Sequence, residues 1–284
     1  MKLAPVVHHI VIPDTQAKPG TPTDHLRWIG QYIVDEFRDK NIKIIHLGDH
    51  ADMPSLSSYD KGKKSMEGRR YLADIAFANE AWSVLGSPLK ALNETRRKTK
   101  HAAWKPERFI LLGNHEDRIN RVIENDAQMD GVVSTNHLDY ARSGWNVIPF
   151  KEILWLDGIA YSHFFYNPMN GRPFGGNAES RLKTIGHSFT MGHQQTLMYT
   201  VRFVSDQSQH ALVAGSCYLH DEDYKGPQGN HHWRGIIVCH EVRNGSYDPM
   251  FISLNYLCRR YEGVELETFI AKKYPNLRKC GEKL

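Results

Sequence analysis

Long apolar runs are missing from this sequence. Its opening, MKLAPVVHHIVIPDT, is interrupted by two histidines and an aspartate, so neither a secretory signal nor a bilayer span is expected there, and no later segment reads as long enough to cross a membrane. Cysteine is scarce: the four, Cys217, Cys239, Cys258 and Cys280, lie far apart with no C-x-x-C pair, which points to free thiols in a reducing cytoplasm. There is no low-complexity tract and no solenoid-type repeat, which excludes a disordered or repeat-built chain. A strong charge of one sign is lacking too. Lys and Arg total 36 against 32 Asp and Glu, a net +4 that is compatible with phosphate-bearing substrates but too weak to indicate nucleic acid by itself. Histidine is what the chain has in excess: sixteen in 284 residues, a hint of metal chemistry.

The first half alternates strand and helix. VVHHIVI (6–12) reads as a buried strand ended by Pro13 and Asp14. Thr23 is placed to cap a helix through residue 38, with Leu26, Ile29, Ile33 and Phe37 on one face. IKIIHL (42–47) and RFILL (108–112) are further strands. Between them runs a helical region from about 67 to 98, expected to break near Gly86-Ser87-Pro88, and a short helix follows the third strand. This rhythm predicts a mostly parallel sheet. The second half turns to short strands: WNVIPF, EILWL, IAYSHFF, then 188–191, 197–203, 211–216, 234–242 and 250–256. Asp157-Gly158 and Asn244-Gly245 signal tight hairpins, and a helix is expected near 177–187 with Asn177 as its cap. The expected fold is α/β, two sheets packed face to face with helices outside, as one domain over 1–270. Residues 271–284 read as a basic, poorly packed tail.

Polar residues collect where strands end. Asp14 and Gln16 follow the first strand, Asp49, His50 and Asp52 the second, and Asn114, His115 and Glu116 the third. His163 and His193 follow later strands. Ligands of open α/β sheets bind beyond the carboxyl ends of strands, so these clusters should converge on one crevice. Singly each has a bland explanation, as a turn former, a helix cap or a core histidine. Together they form a set of hard and borderline donors suited to two divalent cations.

The segments IPDTQ, HLGDHAD, LLGNHED, YSHFF and MGHQQ, in this order, resemble the calcineurin-like metallophosphoesterase superfamily, whose pattern is D-x-H, G-D-x-x-D, G-N-H-E/D, a lone His and G-H-x-H. The chain is also similar to the phosphoesterases of tailed phages, which would put it in the cytoplasm of a phage host. The resemblance implies a four-layer αββα sandwich of two mixed sheets flanked by helices, and a dinuclear metal centre. By position, Asp49 would bridge the metals. Asn114, His163 and His193 would complete site B, and Asp14, Gln16 and Gln195 would complete site A. His115 would protonate the leaving alkoxide, with Glu116 orienting it. Manganese is the expected metal, with Mg, Ni, Co, Fe or Zn as alternatives.

Two departures stand out, and both fall on site A: Gln16 and Gln195 occupy positions where the family pattern has histidine. An amide carbonyl reaches about as far and coordinates hard cations, so site A is expected to be retuned toward all-oxygen ligation. A vacant site A, or a metal-poor scaffold that binds a partner, are the competing explanations. Around the site, His50, Asn114, Arg172, Tyr59, Lys61, Lys63 and Lys64 are candidates for holding substrate. The basic stretch from Tyr59 to Arg70 suits a polyanion or an ordinary solvated loop. The polar loop 220–235 is a candidate lid, with His220, His231 and His232 expected at the surface. The expected activity is hydrolysis of phosphate esters, phosphodiesters of nucleotides or nucleic acid ahead of phosphomonoesters of a metabolite or phosphoprotein.

Overall fold

The computed structural model describes residues 6–222 and 225–277. Among them, eleven strands form two mixed sheets. The first has the order β11-β10-β1-β2-β3-β4, from β1 (His8–Ile12), β2 (Ile42–His46), β3 (Glu107–Leu111), β4 (Asn146–Ile148), β10 (Gly235–Arg243) and β11 (Ser246–Ser253). The second has the order β5-β6-β7-β9-β8, from β5 (Leu154–Leu156), β6 (Ile159–Ser162), β7 (Phe189–Met191), β8 (Leu197–Val204) and β9 (Gln207–Ala214). The strands β1 to β4 run parallel, as the alternating first half requires, and β10 joins β1 antiparallel. In the second sheet β6, β7 and β9 are parallel, so the carboxyl ends of β6 and β7 lie side by side.

Strand alternation sorts the apolar residues into three separate cores, and these define four layers. Ile10, Ile12, Ile44, Ile110, Ile236 and Val238 face outward against α1 (Asp24–Phe37), α2 (Tyr71–Lys98), α6 (Leu254–Glu262) and α7 (Leu266–Lys273). Their neighbours Val11, Ile45, Phe109, Leu111 and Ile237 face the other way and meet Ile159, Tyr161, Leu212 and Ala214 between the sheets. The far face of the second sheet, with Ala160, Phe189, Met191 and Val213, packs on Ala178 and Leu182 of α4 (Ala178–Ile185). The remaining α-helical segments among the described residues are α3 (Arg118–Asn125) and the single turn α5 (Gly226–Gly229), and short 3-10 turns lie in the loops. No helix among the described residues is long and apolar enough to cross a membrane.

Both dipeptide hairpins form: Asp157 (φ 49) with Gly158 (φ 87) joins β5 to β6, and Asn244 (φ 49) with Gly245 (φ 83) joins β10 to β11. Asn177 caps α4 by accepting from the Ser180 N–H. Four expectations need correction. Thr23 precedes α1 but its side chain makes no capping hydrogen bond. The helix α2 runs unbroken through Pro88; the Val84 carbonyl, which proline cannot serve, accepts a hydrogen bond from Ser87 Oγ at 2.8 Å. The strand expected over 250–256 ends at Ser253, whose side chain accepts from the Tyr256 N–H and starts α6. The loose tail expected from residue 271 is helical to Lys273, and Lys273 and Tyr274 both bond the Asp24 carboxylate. The rest of that stretch, 278–284 with Cys280, lies outside the described residues.

Candidate metal centre

Strand order brings the candidate residues together. Asp14, Asp49 and Asn114 follow β1, β2 and β3 of one sheet, while His163 and His193 follow β6 and β7 of the other. Gln16 (φ 46), Asp49 (φ 48) and His193 (φ 63) are left-handed non-glycine residues, a conformation that costs about 1–3 kcal/mol each and collects at functional sites. Cross-ties hold them there: Gln16 N–H donates to the Asp49 carbonyl at 2.9 Å, and His193 N–H to Asp14 Oδ1 at 3.1 Å. The glycines of the motifs are steric necessities, since a Cβ on Gly113 would lie 2.1 Å from Asp49 Oδ1 and one on Gly192 2.5 Å from Asp14 Oδ1.

The donor atoms of Asp49, His163 and His193 lie within 4.8 Å of one another. Asn114 Oδ1 sits 3.0 Å from His163 Nε2 and 2.8 Å from His193 Nδ1, and Asp49 Oδ2 lies 3.3 Å from His163 Nε2. His163 Nδ1 donates to the Leu47 carbonyl at 2.7 Å, which fixes the tautomer of the neutral ring. Its Nε2 lone pair then faces oxygens of Asp49 and Asn114. Such an arrangement is stable only with a positive charge among the three, either a proton or a cation. Burial alone would lower the His163 pKa, but Asp49 facing it holds it up at about 9. Burial likewise works against ionisation of Asp49, and His115 and His163 overcome it, keeping the carboxylate charged. One carboxylate, one amide oxygen and two imidazoles on two sheets fit a divalent metal.

Site A divides. Asp14 and Gln16 are wholly buried, and Asp14 Oδ2 and both amide atoms of Gln16 have no hydrogen-bond partner. Burial, with the facing charge of Asp49, pushes Asp14 up to about 7 against the pull of His163. Gln195 is different. Its Oε1 accepts from Tyr218 OH at 2.7 Å and also from Lys225 Nζ, so the oxygen expected to bind metal is already occupied by two donors.

His115 is held by Asp52, not by Glu116. His115 Nδ1 lies 2.6 Å from Asp52 Oδ1, and His115 Nε2 points toward Asp49 Oδ2 at 3.8 Å. Burial would lower the His115 pKa, but Asp49 and Asp52 raise it. Glu116, one residue along, turns inward: its carboxylate accepts from the backbone N–H groups of Asp49, Ala51 and Gly113 and from Tyr140 OH. It shapes the motif loops. His50 is also corrected, because it is fully buried and its nitrogens engage Thr15 Oγ1 at 2.7 Å and the Ala78 carbonyl at 3.0 Å, which removes it from the substrate-facing set.

Several residues at the site carry no motif. Lys18 Nζ bridges Asp52 Oδ2 at 3.2 Å and Glu222 Oε2 at 2.7 Å, and Glu222 Oε1 lies 2.9 Å from His220 Nε2. A line of charges thus runs from His115 through Asp52 and Lys18 to the 220–222 segment. His220, expected at the surface, is buried, and His232 is half-buried with Nε2 2.8 Å from Ser216 Oγ; His231 is exposed. Arg118 donates to the backbone carbonyl of Asp52 at 2.8 Å. Tyr59, Lys61, Lys63 and Lys64 are exposed, as is Arg172 on the 166–173 turn, whereas Arg69 is spent on Asp60 and the Pro54 carbonyl. No signal in the sequence marks Lys18 or Lys225; both are single lysines in loops.

No family model matches the chain, and no curated protein matches it.

Proposed function

We propose that this chain is a divalent-metal-dependent phosphoesterase of the calcineurin-like kind its motifs resemble, acting on phosphodiesters of nucleotides or nucleic acid. The observation that supports it most is the joint placement of the Asp49, Asn114, His163 and His193 donors beside a part-buried His115–Asp52 pair. A cation held by those four residues would supply a Lewis acid that withdraws charge from a phosphoryl oxygen and lowers the pKa of water. The protein's own part is positioning and proton supply. His163 is fixed by the Leu47 carbonyl, so its free nitrogen faces the centre. His115 is fixed at Nδ1 by Asp52, so Nε2 is the atom that delivers a proton to the departing alkoxide. Exposed Tyr59, Lys61 and Lys64 beyond the β2 strand end suit a polyanionic substrate.

Hydrolysis of bis-p-nitrophenyl phosphate and p-nitrophenyl phosphate, compared across Mn, Mg, Ni, Co, Fe and Zn, tests this. The expected result is metal-dependent turnover favouring the diester and abolished by Asp49→Ala. Turnover that survives exhaustive chelation, or none with any metal, defeats it. A preference for the monoester would keep the chemistry and move the substrate class to phosphomonoesters.

A further inference from the structure

The two glutamines of site A have different surroundings, and the difference concerns charge. Gln16 offers an unpartnered buried amide, and Asp14, two residues earlier, an unpartnered Oδ2. Gln195 offers nothing outward, because Tyr218 OH and the Lys225 ammonium have taken its oxygen. The Lys225 side chain is half-buried and its Nζ also lies 3.4 Å from Tyr218 OH; burial lowers its pKa from the ordinary value, with Glu222 and then Asp14 pulling the other way. A positive charge is therefore already delivered to this half of the centre by a side chain.

We infer that Lys225 replaces the second metal: the centre binds one divalent cation, at Asp49, Asn114, His163 and His193, and the Lys225 ammonium supplies the positive charge at the Gln16–Gln195 half. This rests on the metal-dependent reading above and changes its stoichiometry.

The chemistry of the substitutions agrees. A carbonyl oxygen has two lone pairs and accepts from an ammonium and a hydroxyl together, as Gln195 does. A neutral imidazole has one acceptor nitrogen and would not serve both. A divalent ion beside a fixed ammonium is repelled, and the repulsion is strong where burial lowers the dielectric. The amide at residue 195 and the lysine at 225 are thus chemically matched parts of one arrangement. An ammonium remains able to donate hydrogen bonds to a phosphoryl oxygen, which preserves the electrostatic role of the missing ion without its Lewis acidity.

The test is metal stoichiometry on the full chain, by elemental analysis after Mn²⁺ saturation and removal of excess, with electron paramagnetic resonance to detect exchange coupling between neighbouring ions. The expected wild-type result is one Mn²⁺ per chain with an uncoupled spectrum. Lys225→Met, which keeps the apolar stem and removes the charge, should admit a second Mn²⁺ and give a coupled pair. Adding Gln16→His and Gln195→His should tighten that second ion. Two coupled ions in the wild type overturn the inference and leave the phosphoesterase reading standing. A Lys225→Met protein that stays at one ion overturns the role of Lys225. No bound metal in the wild type defeats both.

Discussion

At the scale of single residues, adjacency in sequence proved a poor guide to partnership. His115 and Glu116 are neighbours in the chain, yet successive side chains in a tight turn diverge, and His115 meets Asp52 while Glu116 gathers backbone N–H groups. Their substitutions should separate accordingly. His115→Ala should keep metal binding and slow esters with poor leaving groups by ~10²–10⁴-fold, with activated nitrophenyl esters suffering less. Asp52→Asn should follow the same pattern more weakly. Equal losses on both ester types would remove His115 from proton delivery. Glu116→Gln should instead act on stability, costing about 1–3 kcal/mol in urea unfolding, because an amide NH₂ would be turned toward N–H donors. Asp49, Asn114, His163 and His193 were legible because strand ends in one layer order force their convergence. Lys18 and Lys225 were not, since a lone lysine acquires meaning only from the tertiary neighbours that surround it.

At the scale of elements, what was legible followed periodicity and turn chemistry, and what was missed lay where a local rule was overridden. Asp157-Gly158 and Asn244-Gly245 announced their hairpins, but β8 and β9 turn through Ser205 (φ 56) and Asp206, which carry no glycine or asparagine to mark the site. Proline suggested a broken α2, and a hydroxyl one residue earlier repaired the break. Ser87→Ala should therefore cost about 0.5–1 kcal/mol, the net worth of a partly exposed hydrogen bond. In a Pro88→Ala background, where the introduced backbone N–H can serve the Val84 carbonyl, the same change should be close to neutral. A double-mutant cycle in urea checks this, and equal costs in both backgrounds would deny the compensation.

At the scale of the whole molecule, the four layers were implied by the motif resemblance, and their cores could be assigned only once strand pairing decided which of two alternating faces each residue takes. Among the polar contacts that cross between the sheets, one set centres on His9. His9 on β1 donates from Nε2 to Asp157 at 2.8 Å and accepts at Nδ1 from Tyr161 OH at 2.7 Å, so it is held neutral. Burial moves its pKa from 6.5 to about 4, with Asp157 pulling the other way. Between those values the unfolded chain takes up a proton that the folded one refuses, so stability should fall as the pH drops from 6.5 toward 4. The full effect of this one group is on the order of 3 kcal/mol. Unfolding midpoints of the wild type and His9→Gln across that range should show a shallower pH slope for the variant; identical slopes would exclude His9 as a contributor. The strand order has a further consequence, for synthesis on the ribosome. β1 lies between β2 and β10, yet β10 and β11 are made only after the entire second sheet. A nascent chain therefore carries one edge of β1 unpaired through most of its translation, an edge open to pairing with other chains. Chains stalled before residue 235 should be markedly more prone to aggregate or to engage chaperones than chains stalled beyond 253, once β11 has emerged.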